Sequence, residues 1–335
     1  MTDKFRTVVE PGKYESLIDV GSRVFLTGSC FTDHIGGKFQ EHRLSAMVNP
    51  FGVLYNPFSI AGALERVTER SYCHEEELVH HNGLWHHFDF HGQFSHESKK
   101  SVCHELNKKI DEACGFLGET DFLVLTFGTA RVFEYIENNR IVANCHKIPA
   151  DRFNHYRLEP DEIVALYKEL IVSLRVFNPS LKIIFTVSPV RHWKDGAHAN
   201  QLSKSVLHLA VDKLCNLFEG VWYFPAYEIM MDELRDYRFY DDSMFNPSPL
   251  AVNYIWERFS GSLLTSAARQ FAARAVRISK ARNHRHSGKE AESYVRFLQN
   301  TLLLIREIEQ QFPDADLSDD RGYFESLLNE QHHRS

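Results

Sequence analysis

A chain of 335 residues with a net charge of −7 can bury a sizeable core as one large α/β domain or as one domain plus an extension. The acidic balance excludes a nucleic-acid footprint: the one basic cluster is the short run from Lys280 to His286, read here as a solvated loop. No apolar stretch reaches the length of a membrane span. Met1-Thr2-Asp3-Lys4 begins no signal peptide, and the six cysteines show no paired short spacing, so a reduced, cytoplasmic protein is expected.

Residues 1–22 read as a lead-in with turns at Pro11-Gly12 and Gly21-Ser22. Arg23 to Thr27 is a buried strand that runs into Gly28-Ser29-Cys30-Phe31. Phe31, Ile35 and Phe39 then recur at helical spacing, with Thr32 and Asp33 placed to cap the first turn. A serine on such a turn exposes a hydroxyl above the end of the sheet, where free backbone N–H groups converge. That arrangement suits attack on an acyl carbon and support of the oxyanion that forms, although a Gly-Ser turn also serves as an ordinary helix cap.

Leu44 to Val48 predicts a second strand, and two Asn-Pro pairs around Gly52 make residues 49–57 a rigid loop. Ser59 to Thr68 reads as a short helix. The stretch 71–101 is irregular, rich in His and aromatics, and reads as an insertion. Asn107 to Leu117 is helical, and Asp121 to Phe127 is a continuous apolar run fit for a central parallel strand ending at Gly128-Thr129-Ala130-Arg131. Arg131 to Glu137 predicts a strand with a turn at Asn138-Asn139, followed by a polar loop over 144–149. Pro160 to Phe177 is a helix, Leu181 to Val187 the next buried strand, Ala199 to Phe218 a long helix and Val221 to Phe224 a further strand. Pro249 to Phe259 is helical, and from Leu263 the chain is mostly helix, broken near 284–288 and at Pro313.

Strands alternating with helices argue for a mostly parallel sheet covered on both faces. Right-handed crossovers put the carboxyl ends of its strands along one rim. Ser29, Gly52, Gly128 to Arg131, Ser188 to His192 and the loop around Asp241 should converge there.

The Gly28-Ser29-Cys30-Phe31 turn resembles the motif that gives the GSCFA family its name, with Thr32 where the family usually has alanine. Further blocks follow in the same order: Phe5-Arg6-Thr7, Asn49-Pro50-Phe51-Gly52 with Tyr55-Asn56-Pro57, Gly128-Thr129-Ala130, Asn144 to Pro149, Ser188 to His192 and Leu234 to Tyr240. The family is in turn similar to the SGNH (GDSL-like) esterases. The resemblance implies a flavodoxin-like three-layer α/β/α domain over 1–260, carrying the His-rich insertion near 71–101, and a helical extension over 261–335.

It also implies roles. Ser29 matches the nucleophile, with its own N–H as one oxyanion donor and Gly52 as the candidate for a second. Ala130 stands where the wider group often has asparagine, so Thr129 or Asn200 is left to supply the third. Gly128, Arg131, Arg191 and His146 are further rim candidates. The departure is at Tyr240 to Ser248: alignment through Pro247-Ser248 puts Ser243 at the family's Asp and Asn246 at its His. An amide is not basic at working pH, and losing a positioned base typically costs about 10²–10⁴-fold. Asp242 is one residue from the orienting position, and His192 is the expected substitute base, with His146 behind it.

The histidines at 80, 81, 86, 87 and 91, with Glu75 to Glu77, lie in a segment with no firm helix and no cysteine pair to fix ligand geometry. No metal and no cofactor is expected. Two functions follow from the resemblance: an SGNH-like serine esterase acting on a small-molecule or glycan acyl ester, impaired at its base, or a catalytically inactive binding protein for an acyl or glycan ligand.

Overall fold

In the computed structural model the described residues are 6–284 and 291–332. The first five residues of the lead-in, the end of the basic run at 285–286 and most of the expected break at 284–288 lie outside them. The elements are β1 (Val24–Gly28), α1 (Cys30–Glu41), β2 (Ala46–Val48), α2 (Pro57–Glu69), β3 (Val79–His81), β4 (Leu84–His86), α3 (Lys99–Gly118), β5 (Phe122–Phe127), β6 (Arg131–Tyr135) and β7 (Arg140–Val142). Then come β8 (Phe153–Arg157), α4 (Pro160–Phe177), β9 (Lys182–Val187), α5 (Ala197–Leu217), β10 (Val221–Tyr223), α6 (Ala226–Glu228), α7 (Pro249–Leu263), α8 (Ser266–Arg282), α9 (Ala291–Gln311) and α10 (Ser318–His332).

The apolar runs become a five-stranded parallel sheet in the order β10-β9-β5-β1-β2. Because side chains alternate across a strand, each run feeds two cores. Phe25, Leu123, Leu125, Ile183 and Phe185 pack with α2 to α5 on one face, and Val24, Leu26, Phe122, Val124 and Ile184 pack with α1 and α7 to α9 on the other. This is the three-layer α/β/α domain expected. Strand order reverses between β1 and β5, so the crevice beyond their carboxyl ends is the topological switch point. Ser29 follows one of these strands and Gly128 the other.

The carboxyl-terminal helices share the second core. Phe39 of α1 meets Trp256 edge-on at 5.2 Å, and Phe271, Leu298 and Phe324 are buried in the same cluster. Ser279 Oγ of α8 donates to the Glu41 carbonyl at 2.5 Å, and Arg43 pairs with Asp320 at 2.6 Å.

Several local expectations are corrected. The insertion contains a hairpin, β3 to β4, turning at Asn82-Gly83, both at positive φ. β8 was not expected as a strand; it pairs antiparallel with β6 beside the β6–β7 hairpin. α3 begins at Lys99 rather than Asn107, capped by Ser98. Thr32 and Asp33 do not cap α1: Thr32 Oγ1 has no partner, and Asp33 instead accepts from Asn49 Nδ2 at 2.6 Å.

Gly28 ends β1 at φ +146°, and a Cβ there would lie 2.2 Å from the Thr126 carbonyl oxygen of β5. Only glycine permits so close an approach. We expect Gly28→Ala to destabilise the protein by about 2 kcal/mol or more, whereas Gly37→Ala, with open space around it, raises stability by up to ~1 kcal/mol. Urea unfolding measures both.

Candidate active site

Ser29 occupies the N-cap position of α1 with extended backbone, where a serine side chain ordinarily accepts a hydrogen bond from the first turn. Here it makes no such bond. Its Oγ is fully buried and has no hydrogen-bond partner, so the cap stabilisation is forgone and the hydroxyl is left uncommitted. The turn is built around it by Asn49, held at φ +40°, whose Oδ1 accepts the Gly28 N–H at 2.9 Å.

Gly128 brings the second strand's loop against this serine. The point where a Cβ on Gly128 would lie is 3.1 Å from Ser29 Cβ and 3.4 Å from His192 Nε2. The missing side chain therefore lets the His192 imidazole and the Ser29 side chain approach the same small space. His192 Nε2 is buried without a partner, and the ring stands edge-on to Tyr55 at 5.2 Å. Burial, with the Lys204 charge adding to it, brings the His192 pKa down to about 4, so the imidazole is neutral through the ordinary pH range.

Asn200 ties this loop to α5. Its Oδ1 accepts the His192 backbone N–H at 2.9 Å, and its Nδ2 is buried with no partner. Asn200 thus carries a further buried polar atom without a hydrogen-bond partner among the described residues, on the residue that holds the His192 backbone.

The expected oxyanion donors are otherwise committed. The Ser29 N–H donates to Thr126 O at 3.1 Å, and the Gly52 N–H donates to Asn49 O at 2.8 Å. Gly52 also packs against the His91 side chain. The Thr129 hydroxyl accepts from Arg131 N at 3.0 Å and pairs with Ser203 Oγ at 3.0 Å, while its N–H and that of Gly128 donate to Tyr55 O. These groups build the turn instead of presenting donors to it.

The 240–248 loop is closed on itself. Asn246 Nδ2 donates to Asp241 Oδ2 at 3.2 Å and to Ser243 Oγ at 3.1 Å, and the Ser243 hydroxyl also bonds Asp241. Asp241, and not Asp242, is the carboxylate facing residue 246, and it lies within Coulombic reach of His34 on α1. His146 is buried in the insertion: its Nε2 contacts the His87 carbonyl at 2.8 Å and its ring stacks on His86 at 4.5 Å, so its role is structural packing. Arg131 pairs with Asp195 at 3.4 Å beside a cavity of about 330 Å³ whose walls include Tyr55, Thr129 and His192.

The insertion also brings together groups that sequence spacing did not. Cys73, Glu77 and His87 place three donors within 4.8 Å of one another, and Cys103 Sγ lies 3.3 Å from Cys73 Sγ, so a cysteine pair does exist here. The Asp89 N–H donates to His87 Nδ1 at 3.1 Å, which fixes the ring proton on Nε2, and Nε2 donates to Glu77 at 3.2 Å. Arg66 also binds Glu77 and Asp89. With its lone pair turned to the backbone, His87 belongs to a hydrogen-bonded ion-pair network, not to a cation-ligand set.

Lys204 was missed. It has no exposed surface, and its Nζ donates to Gly128 O at 2.7 Å and Ser188 O at 2.6 Å, fastening the ends of β5 and β9 beneath the site. The signal was present: Asn200, Ser203, Lys204, Leu207 and Val211 lie on the buried stripe of an amphipathic helix, where a lysine is out of place.

The fold and site define a doubly wound α/β protein with an uncommitted serine at its switch point. The chain belongs to the GSCFA family, whose model matches residues 23–259; the model described as the GSCFA domain protein, C-terminal domain, matches residues 276–330. Among curated proteins no sequence match is found. Three solved structures are similar. A protein from Streptococcus pneumonia named for platelet activating factor is 14% identical, with 77% of this chain and 86% of that one covered, at a TM-score of 0.39. A carbohydrate esterase family 3 protein from Talaromyces cellulolyticus is 10% identical, with 75% and 98% covered, at 0.35. The acetyl xylan esterase Est2A from Butyrivibrio proteoclasticus is 12% identical, with 75% and 65% covered, at 0.34. Among the described residues no helix is long and apolar enough to cross a membrane.

Burial takes the Lys204 amine from the ordinary 10.5 to about 7. Between these values the unfolded chain holds a proton that the folded chain lacks, so stability rises with pH across this window. We expect unfolding free energy to increase by about 2 kcal/mol from pH 7 to pH 9. Urea unfolding of Lys204→Met at the same two pH values should show this difference abolished.

Proposed function

We propose that the protein is a slow serine ester hydrolase in which His192 serves as the base that residue 246 no longer supplies. The observation that carries this reading is the shared space at Gly128, where Ser29 and the unpartnered Nε2 of His192 meet. Ser29 Oγ attacks the acyl carbon as its proton passes to Nε2, with the ring proton on Nδ1. The oxyanion is taken by the free Nδ2 of Asn200. Collapse breaks the bond to the alcohol oxygen, which leaves with the proton held on Nε2. Water then adds to the acyl-serine with His192 again as base, releasing the acid and restoring both groups. The substrate is an acyl or acetyl ester of a small molecule or glycan.

Slowness follows from the same geometry. A base with a pKa of about 4 is far from the optimum near operating pH, and among the described residues no carboxylate hydrogen-bonds its ring. Ser29 has no exposed surface, so an ester reaches it only after side chains of the cavity wall, such as Tyr55, move aside. That closure, together with the sealed Asn246, favours a second reading, an inactive protein that binds an acyl or glycan ligand in the same crevice.

Hydrolysis of p-nitrophenyl acetate separates the two. We expect slow turnover that Ser29→Ala abolishes and His192→Gln lowers by about 10²-fold or more. The rate should fall on the acid side through a limb near pH 4, where His192 gains a proton, and not near 6.5. Asn246→His, with Asp241 in place to orient the new ring, should raise turnover in a Ser29-dependent way. A rate unchanged in Ser29→Ala overturns the nucleophile assignment, and complete inactivity of the unaltered chain with ligand binding retained establishes the second reading.

A further inference from the structure

The residue before His192 is a half-buried cation. The Arg191 guanidinium lies over the Trp193 ring at 5.0 Å from its centroid, and its buried Nε makes no hydrogen bond. Among the described residues it forms no ion pair, whereas Arg235 pairs with Asp232 at 2.8 Å and Arg238 with Asp236 at 3.9 Å. Its charge is felt around it. Burial raises the phenol pKa values of Tyr227 and Tyr240 and Arg191 opposes that rise, while at Lys204 it adds to the effect of burial.

Arg191 opens onto a cleft of about 430 Å³ walled by Trp193, Tyr237, Tyr240 and Phe245, with Arg235 and Asp236, each already in an ion pair, also on its lining. Trp193 and Phe245 stack at 5.1 Å, which closes one side with flat apolar surface, and Tyr237 is 78% exposed at the rim. An exposed aromatic face accepts the C–H face of a pyranose ring. An unpaired guanidinium fork accepts a carboxylate or phosphate through two parallel hydrogen bonds. A neutral sugar would use the aromatic wall and leave the half-buried cation uncompensated; an anionic one satisfies both.

We propose that this cleft binds an anionic sugar, its acid group on the Arg191 fork and its ring face on Tyr237, and that it holds the alcohol half of the ester. The placement as alcohol subsite rests on the esterase reading above; the ligand class does not. The cleft begins at Arg191, the residue before His192.

The experiment is titration calorimetry of Ser29→Ala protein, at fixed ionic strength, with galacturonate, galactose 1-phosphate and galactose. At least one anion should bind at least about tenfold more tightly than galactose, and which anion does so tells carboxylate from phosphate recognition. Arg191→Gln should reduce anion affinity to that of galactose. Arg191→Lys, which keeps the charge and loses the fork, should fall between and serves if the glutamine variant does not fold. Tyr237→Ala, at an exposed position, should weaken all three ligands. Equal binding of galactose and both anions, no binding of any, or unchanged anion affinity in a folded Arg191 variant overturns the proposal. Anion binding without Ser29-dependent esterase activity in the unaltered chain keeps the ligand class and removes the alcohol-subsite role. Esterase activity with no anion preference in binding leaves the esterase reading standing and overturns this proposal.

Discussion

A lysine amine sealed under the ends of two central strands is the constraint on which the site depends. The carbonyls of Gly128 and Ser188 point into a space that hydrocarbon would leave unsatisfied, and two unpaired buried acceptors would cost more than the lysine does. An ammonium brings three donors to these two acceptors, and among the described residues no carboxylate pairs with it. Burial lowers its pKa to about 7, and shedding one proton still leaves two N–H groups for the two carbonyls. Held this way, the loop after β5 keeps Gly128 against Ser29, and the loop after β9 delivers His192 to the same place.

Around that fastening, the site is assembled from groups whose ordinary duties are withheld. Ser29 is positioned to cap α1 and does not, Asn200 uses one end of its amide to hold His192 and leaves the other free, and His192 offers Nε2 to nothing. The loop that would carry a histidine in the wider family has the opposite character, with Asn246 spending its amide on Asp241 and Ser243. Unmade bonds sit on the turns after β1 and β9 and on α5, and satisfied ones sit on the 240–248 loop.

Much of this order was legible. Strands 24–28, 122–127 and 182–187 are buried on both faces and read as unbroken apolar runs, so the parallel sheet and its rim followed from them. β8 and the insertion hairpin were not, because short, half-exposed strands carry no clean alternation. His192 beside Ser29 was within reach of topology. The oxyanion donors were not, since whether the N–H groups of Ser29 and Gly52 are free depends on which carbonyl lies opposite, and that is set by strand approach and loop closure. Lys204 could have been found as a charge on an apolar stripe, whereas Arg191 becomes significant only once its neighbours' partners are known.

The helix that presents Ser29 is anchored at its far end by the carboxyl-terminal helices, through the Ser279 bond to Glu41 and the packing of Phe39 on Trp256. With twelve residues it is a rigid arm of about 18 Å. A tilt of about 3° at the anchored end carries the serine roughly 1 Å, a displacement that alone can change a reaction rate on the order of a hundredfold. The last quarter of the chain, which holds neither Ser29 nor His192, therefore works as the mounting that keeps Ser29 in alignment.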